Sequence, residues 1–243
     1  MNNLLTLPQV QFLFKNELPR SQILLVAGGR PPSKEWLTIA AATYPIWAVD
    51  RGIDICQASN VIPLLLIGDG DSATPEGWTW GTTLGIPVEI HPPEKDLTDL
   101  QLALQKLGLL YDQAAVVVTG VWGGRFDHSF SNIFSLLGCG QFGISGYCAA
   151  DESEVLVLLK GHDSVKIHAP CKPDVVSLLP LSPYCSGVFI DGVHWPLSAV
   201  ELTIGLPYSI SNRPTKNPTD ITVSVEKGCL GIYMCWEQNC FKK

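Results

Sequence analysis

Between Ala114 and Thr119 the chain reads AAVVVT, an apolar and β-branched run without polar alternation. Such a run suits a strand buried on both faces, and strands of that kind belong to parallel sheets covered by helices. It ends in Gly120, Gly123 and Gly124, where the backbone turns tightly and bares its N–H groups. Arg125 then supplies a planar cation, and Asp127 is expected to open and cap a helix. A strand, a glycine turn, an Arg and a helix N-terminus suit an anion such as phosphate. An ordinary βα turn uses the same residues, so the chemistry rests on what accompanies them.

The same alternation precedes this stretch. Ile23–Ala27 reads as a strand bounded by Gly28 and Gly29, followed by a helix capped by Ser33 with Trp36, Leu37, Ala40 and Ala41 on its apolar face. Ile46–Val49 is a second strand ending in Asp50-Arg51-Gly52, and Ile53–Ala58 a short helix. Leu64–Ile67 is a third strand, ending in Gly68-Asp69-Gly70-Asp71-Ser72. Val88–His91 runs into Pro92-Pro93-Glu94-Lys95-Asp96. Leu97, Leu100, Leu104 and Leu107 then recur at helical spacing, with Asp96 as the expected cap and Gly108 as the stop. After the AAVVVT strand, Phe130, Ile133, Phe134 and Leu137 are expected to face inward. Strands alternating with helices to about residue 140 predict a mostly parallel, Rossmann-like α/β sheet with flanking helices. Ligands of such sheets bind at the carboxyl ends of the strands, where these acidic turns and the Gly-Gly-Arg turn converge.

Near residue 150 the pattern changes. Glu154–Leu159, Ser164–His168, Val175–Leu181, Gly187–Ile190, Glu201–Ile204, Thr222–Val225 and Leu230–Cys235 are short β-rich runs separated by Pro and Gly turns. They predict an all-β second domain, a β-sandwich. The division expected is an α/β domain over 1–150 and a β domain over 151–243. No repeat at fixed period is evident.

Composition narrows the function. With 46% hydrophobic and 16% charged residues, the chain is a globular protein. A net charge of −7 argues against a basic nucleic-acid-binding surface, but not against a phosphorylated ligand held by local cations or a divalent metal. The eight cysteines, Cys56, Cys139, Cys148, Cys171, Cys185, Cys229, Cys235 and Cys240, form no CxxC and are read as reduced thiols of a cytoplasmic protein. The N-terminus lacks a basic n-region and is broken by Pro8, so it does not read as a signal peptide. The apolar runs are too short to span a bilayer, and no membrane partner is expected.

Three acidic clusters carry the chemistry. Asp69 and Asp71, two residues apart between glycines, suit oxygen coordination of a hard cation, and equally an Asx turn. Asp96, Thr98 and Asp99 suit a helix start, and also offer a hydroxyl and a carboxylate to a metal–phosphate complex. Asp50 stands at a strand end beside them. Gathering so many carboxylates costs electrostatic energy unless a cation neutralises them, and Mg²⁺ bound with a polyphosphate does so. The residues alone thus point to Mg²⁺-dependent chemistry on a nucleotide.

The ordered set of motifs resembles the thiamin pyrophosphokinases. Asp50-Arg51-Gly52 is similar to that family's Ala-Asp-Gly-Gly, with Val49 and Arg51 as departures. Gly68-Asp69-Gly70-Asp71-Ser72 resembles its Gly-Asp-Phe-Asp-Ser, with Gly70 in place of the aromatic. Lys95-Asp96-Leu97-Thr98-Asp99 resembles its Asp-x-Thr-Asp helix start, with Lys95 where a polar uncharged residue is common. Gly123-Gly124-Arg125-Phe126-Asp127-His128, followed by Asn132, resembles its Gly-Gly-Arg-x-Asp-His…Asn signature. Gly192–Leu197 (GVHWPL) and Ser209-Ile210-Ser211-Asn212 are similar to its Gly-x-x-Tyr-Pro-Leu and Ser-x-Ser-Asn.

The resemblance implies a homodimer that transfers pyrophosphate from ATP to the hydroxyl of thiamin, giving thiamin diphosphate and AMP. It implies Mg²⁺ at Asp69, Asp71 and Asp99, supported by Asp50. Ser72, Thr98, Gly123, Gly124, Arg125 and Asp127 would position the nucleotide, with Arg125 beside the transferring phosphoryl group. Ser209, Ser211 and Asn212 would lie near a thiamin pocket formed between subunits, with Tyr233 or Trp236 either stacked on thiamin or part of the core. Asp71 is the candidate base, and His128 is read as structural. The alternatives are a pyrophosphokinase of related fold acting on a pterin-like hydroxymethyl heterocycle, and a non-catalytic nucleotide- or thiamin-binding protein.

Overall fold

The computed structural model describes residues 2–206 and 208–237. The chain divides into two compact units, Pro19–Asp151 and a second made of Met1–Leu18 with Glu152–Lys243. The first eighteen residues thus belong to the β unit, a correction to the expected 1–150 domain. They form an antiparallel hairpin of β1 (Leu4–Leu7) and β2 (Val10–Phe14). In β2 the side chains of Val10, Phe12 and Phe14 are buried while Gln11 and Leu13 face out, the period-two pattern of a one-sided strand.

The α/β unit runs β3 (Ser21–Val26), α1 (Lys34–Ala41), β4 (Ile46–Val49), α2 (Gly52–Ala58), β5 (Leu65–Gly68), α3 (Pro75–Thr83), β6 (Val88–Ile90), α4 (Asp99–Leu110), β7 (Ala114–Thr119), α5 (Phe126–Gly138) and β8 (Ser145–Ala150). Its strands pair in parallel in the order β8-β7-β3-β4-β5-β6. Every residue of β4, β5 and β7 is buried, as expected for apolar runs covered on both faces. The chain leaves β3 toward β4 on one side and returns beside it as β7 on the other. A crevice opens at the carboxyl ends of the strands where the order reverses in this way.

Helix α1 is capped as expected, Ser33 accepting from the Trp36 amide. Three local readings are corrected. Thr98, not Asp96, caps α4: its hydroxyl accepts from the Gln101 amide while the Gln101 side chain accepts from the Thr98 amide. Reciprocal bonding satisfies two free donors, which one Asp cannot do. Helix α5 begins at Phe126 after Arg125 with no side-chain cap, and Asp127 lies inside its first turn. The buried residues of α5 are Ser135 and Leu136, whereas Phe130 and Phe134 are exposed and Ile133 and Leu137 half-buried. Phe130 stacks on Phe134 and touches Phe126, so the aromatic stripe satisfies itself on the outside of the helix. Helix α3 and strand β8 were not read from the sequence. Thr74-Pro75, a cap followed by Pro at the first helical position, is the signal for α3, but its apolar face is weak.

The β unit adds β9 (Glu154–Lys160), β10 (Asp163–Ala169), β11 (Val175–Pro180), β12 (Tyr184–Asp191), β13 (Leu197–Thr203), β14 (Thr219–Val225) and β15 (Cys229–Cys235). Each of the seven runs expected from the sequence falls on one of these strands, with Leu181 and Ile204 just beyond the ends of β11 and β13. Within this unit six strands pair as β1-β2-β10-β14-β12-β13 and three as β11-β15-β9, and each of these pairings is antiparallel. Cys56, Cys139, Cys148, Cys185, Cys229 and Cys235 are free thiols. Cys171 is disulfide-bonded, which corrects the reading of every cysteine as reduced; Cys240 lies outside the described residues. Spacing alone does not show which thiols the fold brings within bonding distance.

Candidate active site

Backbone packing builds the crevice before any side chain enters it. The Gly29 amide donates to Gly120 O and the Arg30 amide to Trp122 O, both at 2.6 Å, tying the turn after β3 to the turn after β7. A Cβ on Gly29 would meet Gly120 O at 2.5 Å and Trp122 O at 2.7 Å, so this contact requires glycine. Gly28, Gly29, Gly120, Gly123 and Gly124 line a groove of about 810 Å³. Asp50, Asp69, Asp71, Lys95, Asp99, Arg125 and Asp127 line the same groove.

Asp50 organises the acidic turn after β5. It is buried and left-handed, with φ 47°, a conformation that Asp tolerates better than most side chains. Its Oδ1 accepts from the Gly70 amide at 3.1 Å, and its Oδ2 accepts from the Ser72 hydroxyl. Asp69 Oδ1 accepts from the Asp71 amide at 3.1 Å. Single carboxylate oxygens of Asp50, Asp69 and Asp99 lie within 4.8 Å of one another, three hard donors in one place. Asp71, one of the three expected ligands, is exposed beside this group and is not one of its members.

Lys95 stands within the carboxylates. Its ammonium pairs with Asp69 Oδ2 and lies 3.1 Å from Asp99 Oδ1. Asp99 Oδ1 is buried and accepts no well-formed hydrogen bond, so its contact with Lys95 is an ion pair only. Desolvation pushes the Asp69 carboxyl up, but the Lys95 hydrogen bond and the Asp71 amide outweigh it and hold the carboxyl below its usual value. Desolvation dominates at Asp99, which is held above its usual value despite Lys95, with the charges of Asp50 and Asp69 adding to the shift. Asp71 is also pushed up, first by the hydrogen bond it shares with Asp69, then by desolvation and the charges of Asp69, Asp50 and Asp99. For Lys95, desolvation lowers the value, and the bonds to Asp69 and Asp99 more than reverse it.

In the same groove Arg125 and Asp127 form a two-pronged ion pair, Nε to Oδ1 at 3.1 Å and Nη2 to Oδ2 at 2.5 Å. Both are exposed, and the bond raises the Arg125 value and lowers that of Asp127. Asp127 Oδ1 also accepts from the His128 amide at 3.0 Å. Gly28, Gly29 and Arg51 line the groove although the sequence reading gave them no role. The Gly-Gly after the first strand was the available signal, but glycine pairs at strand ends are common.

Ser209, Ser211 and Asn212 lie in the β unit. Asn212 is buried and both polar atoms of its side chain are bonded: Oδ1 accepts from the Trp195 and Arg213 amides at 3.1 and 2.9 Å, and Nδ2 donates to Trp195 O at 2.7 Å. Asn212 also pairs with Val176 through both backbone groups. Ser209 O accepts from the Leu178 amide, and the Ser211 amide donates to Ser177 Oγ. Trp195 is left 58% exposed, with His194 edge-on at 4.5 Å. Trp236 is buried with its Nε1 donating to Cys171 O, and the Tyr233 hydroxyl donates to Glu154.

Residues 38–147 match the family profile described as "Thiamin pyrophosphokinase, catalytic domain", and residues 164–230 match "Thiamin pyrophosphokinase, vitamin B1 binding domain". The chain belongs to the thiamin pyrophosphokinase family. The thiamine pyrophosphokinase of Bacillus subtilis is 26% identical over 200 residues, which span 79% of this chain and 88% of that protein. Thiamine pyrophosphokinase 1 of Oryza sativa subsp. japonica is 25% identical over 166 residues, 66% of this chain and 62% of that protein. The crystal structure of the B. subtilis thiamine pyrophosphokinase superposes with a TM-score of 0.75 at 25% identity, covering 90% of this chain and all (100%) of that one. A thiamin pyrophosphokinase family protein from Enterococcus faecalis shares the fold, with a TM-score of 0.75 at 24% identity and the same coverage of 90% and 100%.

Within this thiamin pyrophosphokinase family member, the departure at Gly70 has a local cause. A Cβ at position 70 would meet the Trp78 ring at 2.7 Å, so an indole from α3 packs where a larger side chain at 70 would begin.

Proposed function

We propose that the chain catalyses transfer of pyrophosphate from ATP to the hydroxyl of thiamin, giving thiamin diphosphate and AMP, with Mg²⁺ as the cofactor. Membership of the thiamin pyrophosphokinase family supports this activity. The observation that carries it is the gathering of Asp50, Asp69 and Asp99 in a groove that the glycine turns and Arg125 also line.

The donor set fits Mg²⁺. It consists of carboxylate oxygens alone, and the buried Asp99 Oδ1 is met by no well-formed hydrogen bond, only by its ion pair with Lys95. Asp69, Asp71 and Asp99 would hold the ion, and Asp50 would brace the turn that carries two of them. When bound, Mg²⁺ supplies charge neutralisation for the polyphosphate and polarises its oxygens.

The remaining work falls to the protein. The amides of Gly123 and Gly124 and the Arg125 guanidinium face the polyphosphate, and Arg125 exchanges part of its pairing with Asp127 for phosphoryl oxygens. The Thr98 hydroxyl accepts from the Gln101 amide and keeps its own proton to donate to a phosphate oxygen. Ser72 keeps the acidic turn in register through Asp50. The thiamin hydroxyl attacks the β-phosphorus in line, AMP leaves, and Asp71 takes the hydroxyl proton. Ser209, Ser211 and Asn212 serve the thiamin side. Asn212 acts by fixing Trp195, whose exposed ring offers a stacking face to an aromatic heterocycle.

In this reading the parallel sheet is Rossmann-like, the β unit is a sandwich, and the enzyme is a cytoplasmic homodimer whose thiamin pocket is completed by a second copy. The six free thiols support a reducing compartment, and the disulfide at Cys171 counts against it. Among the described residues no helix is long and apolar enough to cross a membrane. The match to a vitamin B1 binding domain favours thiamin over a pterin. Incubation with ATP, Mg²⁺ and thiamin is expected to release AMP and thiamin diphosphate in equal amounts. Release of ADP, or AMP formed only with a pterin alcohol, overturns the proposal.

A further inference from the structure

Lys95 is placed unlike a phosphate-binding lysine waiting in solvent. Its side chain is only 13% exposed, and its ammonium pairs with Asp69 and stands 3.1 Å from Asp99. Those two carboxylates, with Asp50, are the ones whose oxygens converge within 4.8 Å. An ammonium and a divalent ion in contact with the same two carboxylates repel each other at such separations, so the two compete for that position. The carboxylates also need some cation: three of them this close, all with restricted access to water, would otherwise be driven apart or protonated.

We infer that Lys95 is an internal counter-cation. It occupies the divalent position of the unliganded protein, keeps the carboxylates assembled, and is expelled when metal and nucleotide arrive. Its four-carbon stem lets the ammonium swing without moving the backbone. Lys95 lines the same groove as Gly123, Gly124 and Arg125, so the expelled ammonium re-pairs with the polyphosphate that enters beside the metal. Metal alone has to displace Lys95 without that compensation and binds weakly. Metal with nucleotide gives the ammonium a new partner and binds well, which orders the loading of the site. Lys95 is therefore a positioning residue for the metal–nucleotide complex. This inference rests on the metal reading of the acidic group.

Mn²⁺ binding, followed by electron paramagnetic resonance, tests it without turnover. Titrations of the wild-type protein and of Lys95→Gln are run with and without a non-hydrolysable ATP analogue. Without nucleotide, Lys95→Gln is expected to bind Mn²⁺ at least tenfold more tightly than wild type. With the analogue that advantage is expected to vanish or reverse. Equal or weaker binding by the variant in the absence of nucleotide overturns the inference while leaving the metal site intact. Failure of both proteins to bind Mn²⁺ with the analogue overturns the metal reading and the inference with it. A second measurement uses the wild-type chain alone, so a misfolded variant does not decide the matter. Amine labelling of Lys95, read by mass spectrometry, is expected to rise several-fold on adding saturating Mg²⁺ and to fall again with the analogue. A labelling rate indifferent to Mg²⁺ refutes the expulsion.

Discussion

Asp99 carries more of the site than its place in a helix start suggests. It is the first residue of α4, where the helix dipole favours an acid, yet desolvation holds its carboxyl above the usual value. Its buried Oδ1 has only the Lys95 ammonium as a partner, an arrangement suited to exchange for a metal ion. Asp99→Asn is expected to lower kcat by roughly a hundredfold or more, the scale of losing one strong electrostatic contact to a transition state. Its melting temperature should stay level or rise, because the substitution relieves repulsion from Asp50 and Asp69. A variant with kcat within threefold of wild type removes Asp99 from the metal shell. Asn212 works the other way, through structure. In Asn212→Ala the amides of Trp195 and Arg213 and the Trp195 carbonyl lose their partner, at about 1–3 kcal/mol for each group left buried and unsatisfied. Denaturant unfolding should show that loss of stability, and the KM for thiamin should rise as Trp195 loosens. Unchanged values for both would make Asn212 a bystander.

At the scale of elements, the groove exists because three strand ends approach one another through backbone. Gly52, the first residue of α2, shows how little room is left: a Cβ there would lie 1.8 Å from Val26 O, at the end of β3. Gly52→Ala is expected to cost more than about 2 kcal/mol, since the contact is backbone against backbone and no side chain can turn aside. Chemical denaturation measures it, and a loss below 0.5 kcal/mol would mean that β3 and α2 adjust freely. The sequence places Gly52 after a strand but gives no sign that its hydrogen faces a carbonyl from another strand. Helix caps were partly legible for a related reason. Ser33 was read correctly because one polar residue stands before an apolar helix. The start of α4 offers Asp96, Thr98 and Asp99 in close succession, and the choice fell to Thr98 because Gln101 returns its bond. The aromatic stripe of α5 was misjudged because helical spacing marks a face without saying what covers it. Phe130 stacks on Phe134 and meets Phe126 at a tilt, and the inward position is left to Leu136.

For the whole molecule, the assignment of the first eighteen residues matters most. β2 pairs with β10 over four residues, and Leu5, Leu7, Val10, Phe12 and Phe14 are buried. Removing residues 1–18 would strip the edge of β10 and expose apolar core, a setting for strand-to-strand aggregation. Such a truncation is expected to lose the unfolding transition of the β unit and to precipitate on mild heating, while the α/β unit still folds. Calorimetry and binding of an ATP analogue would show the two effects separately. A truncated chain that melts like the full one would mean that the hairpin is only an attachment.

What the sequence determined by itself was the alternation of strands and helices, the change to β-rich runs near residue 150, and the order of the acidic and glycine motifs. These are local matters: apolar period, turn chemistry and caps act over a few residues, and so they survive in a linear reading. Only the tertiary structure decided that Asp50 spends both carboxylate oxygens on the 68–72 turn, that Asp50, Asp69 and Asp99 converge while Asp71 stands aside, and that the residues before β3 belong with the β unit. It also decided that Lys95 sits among the carboxylates. Each of these depends on groups far apart in the chain meeting in one desolvated place, where charge, donor geometry and space are settled together.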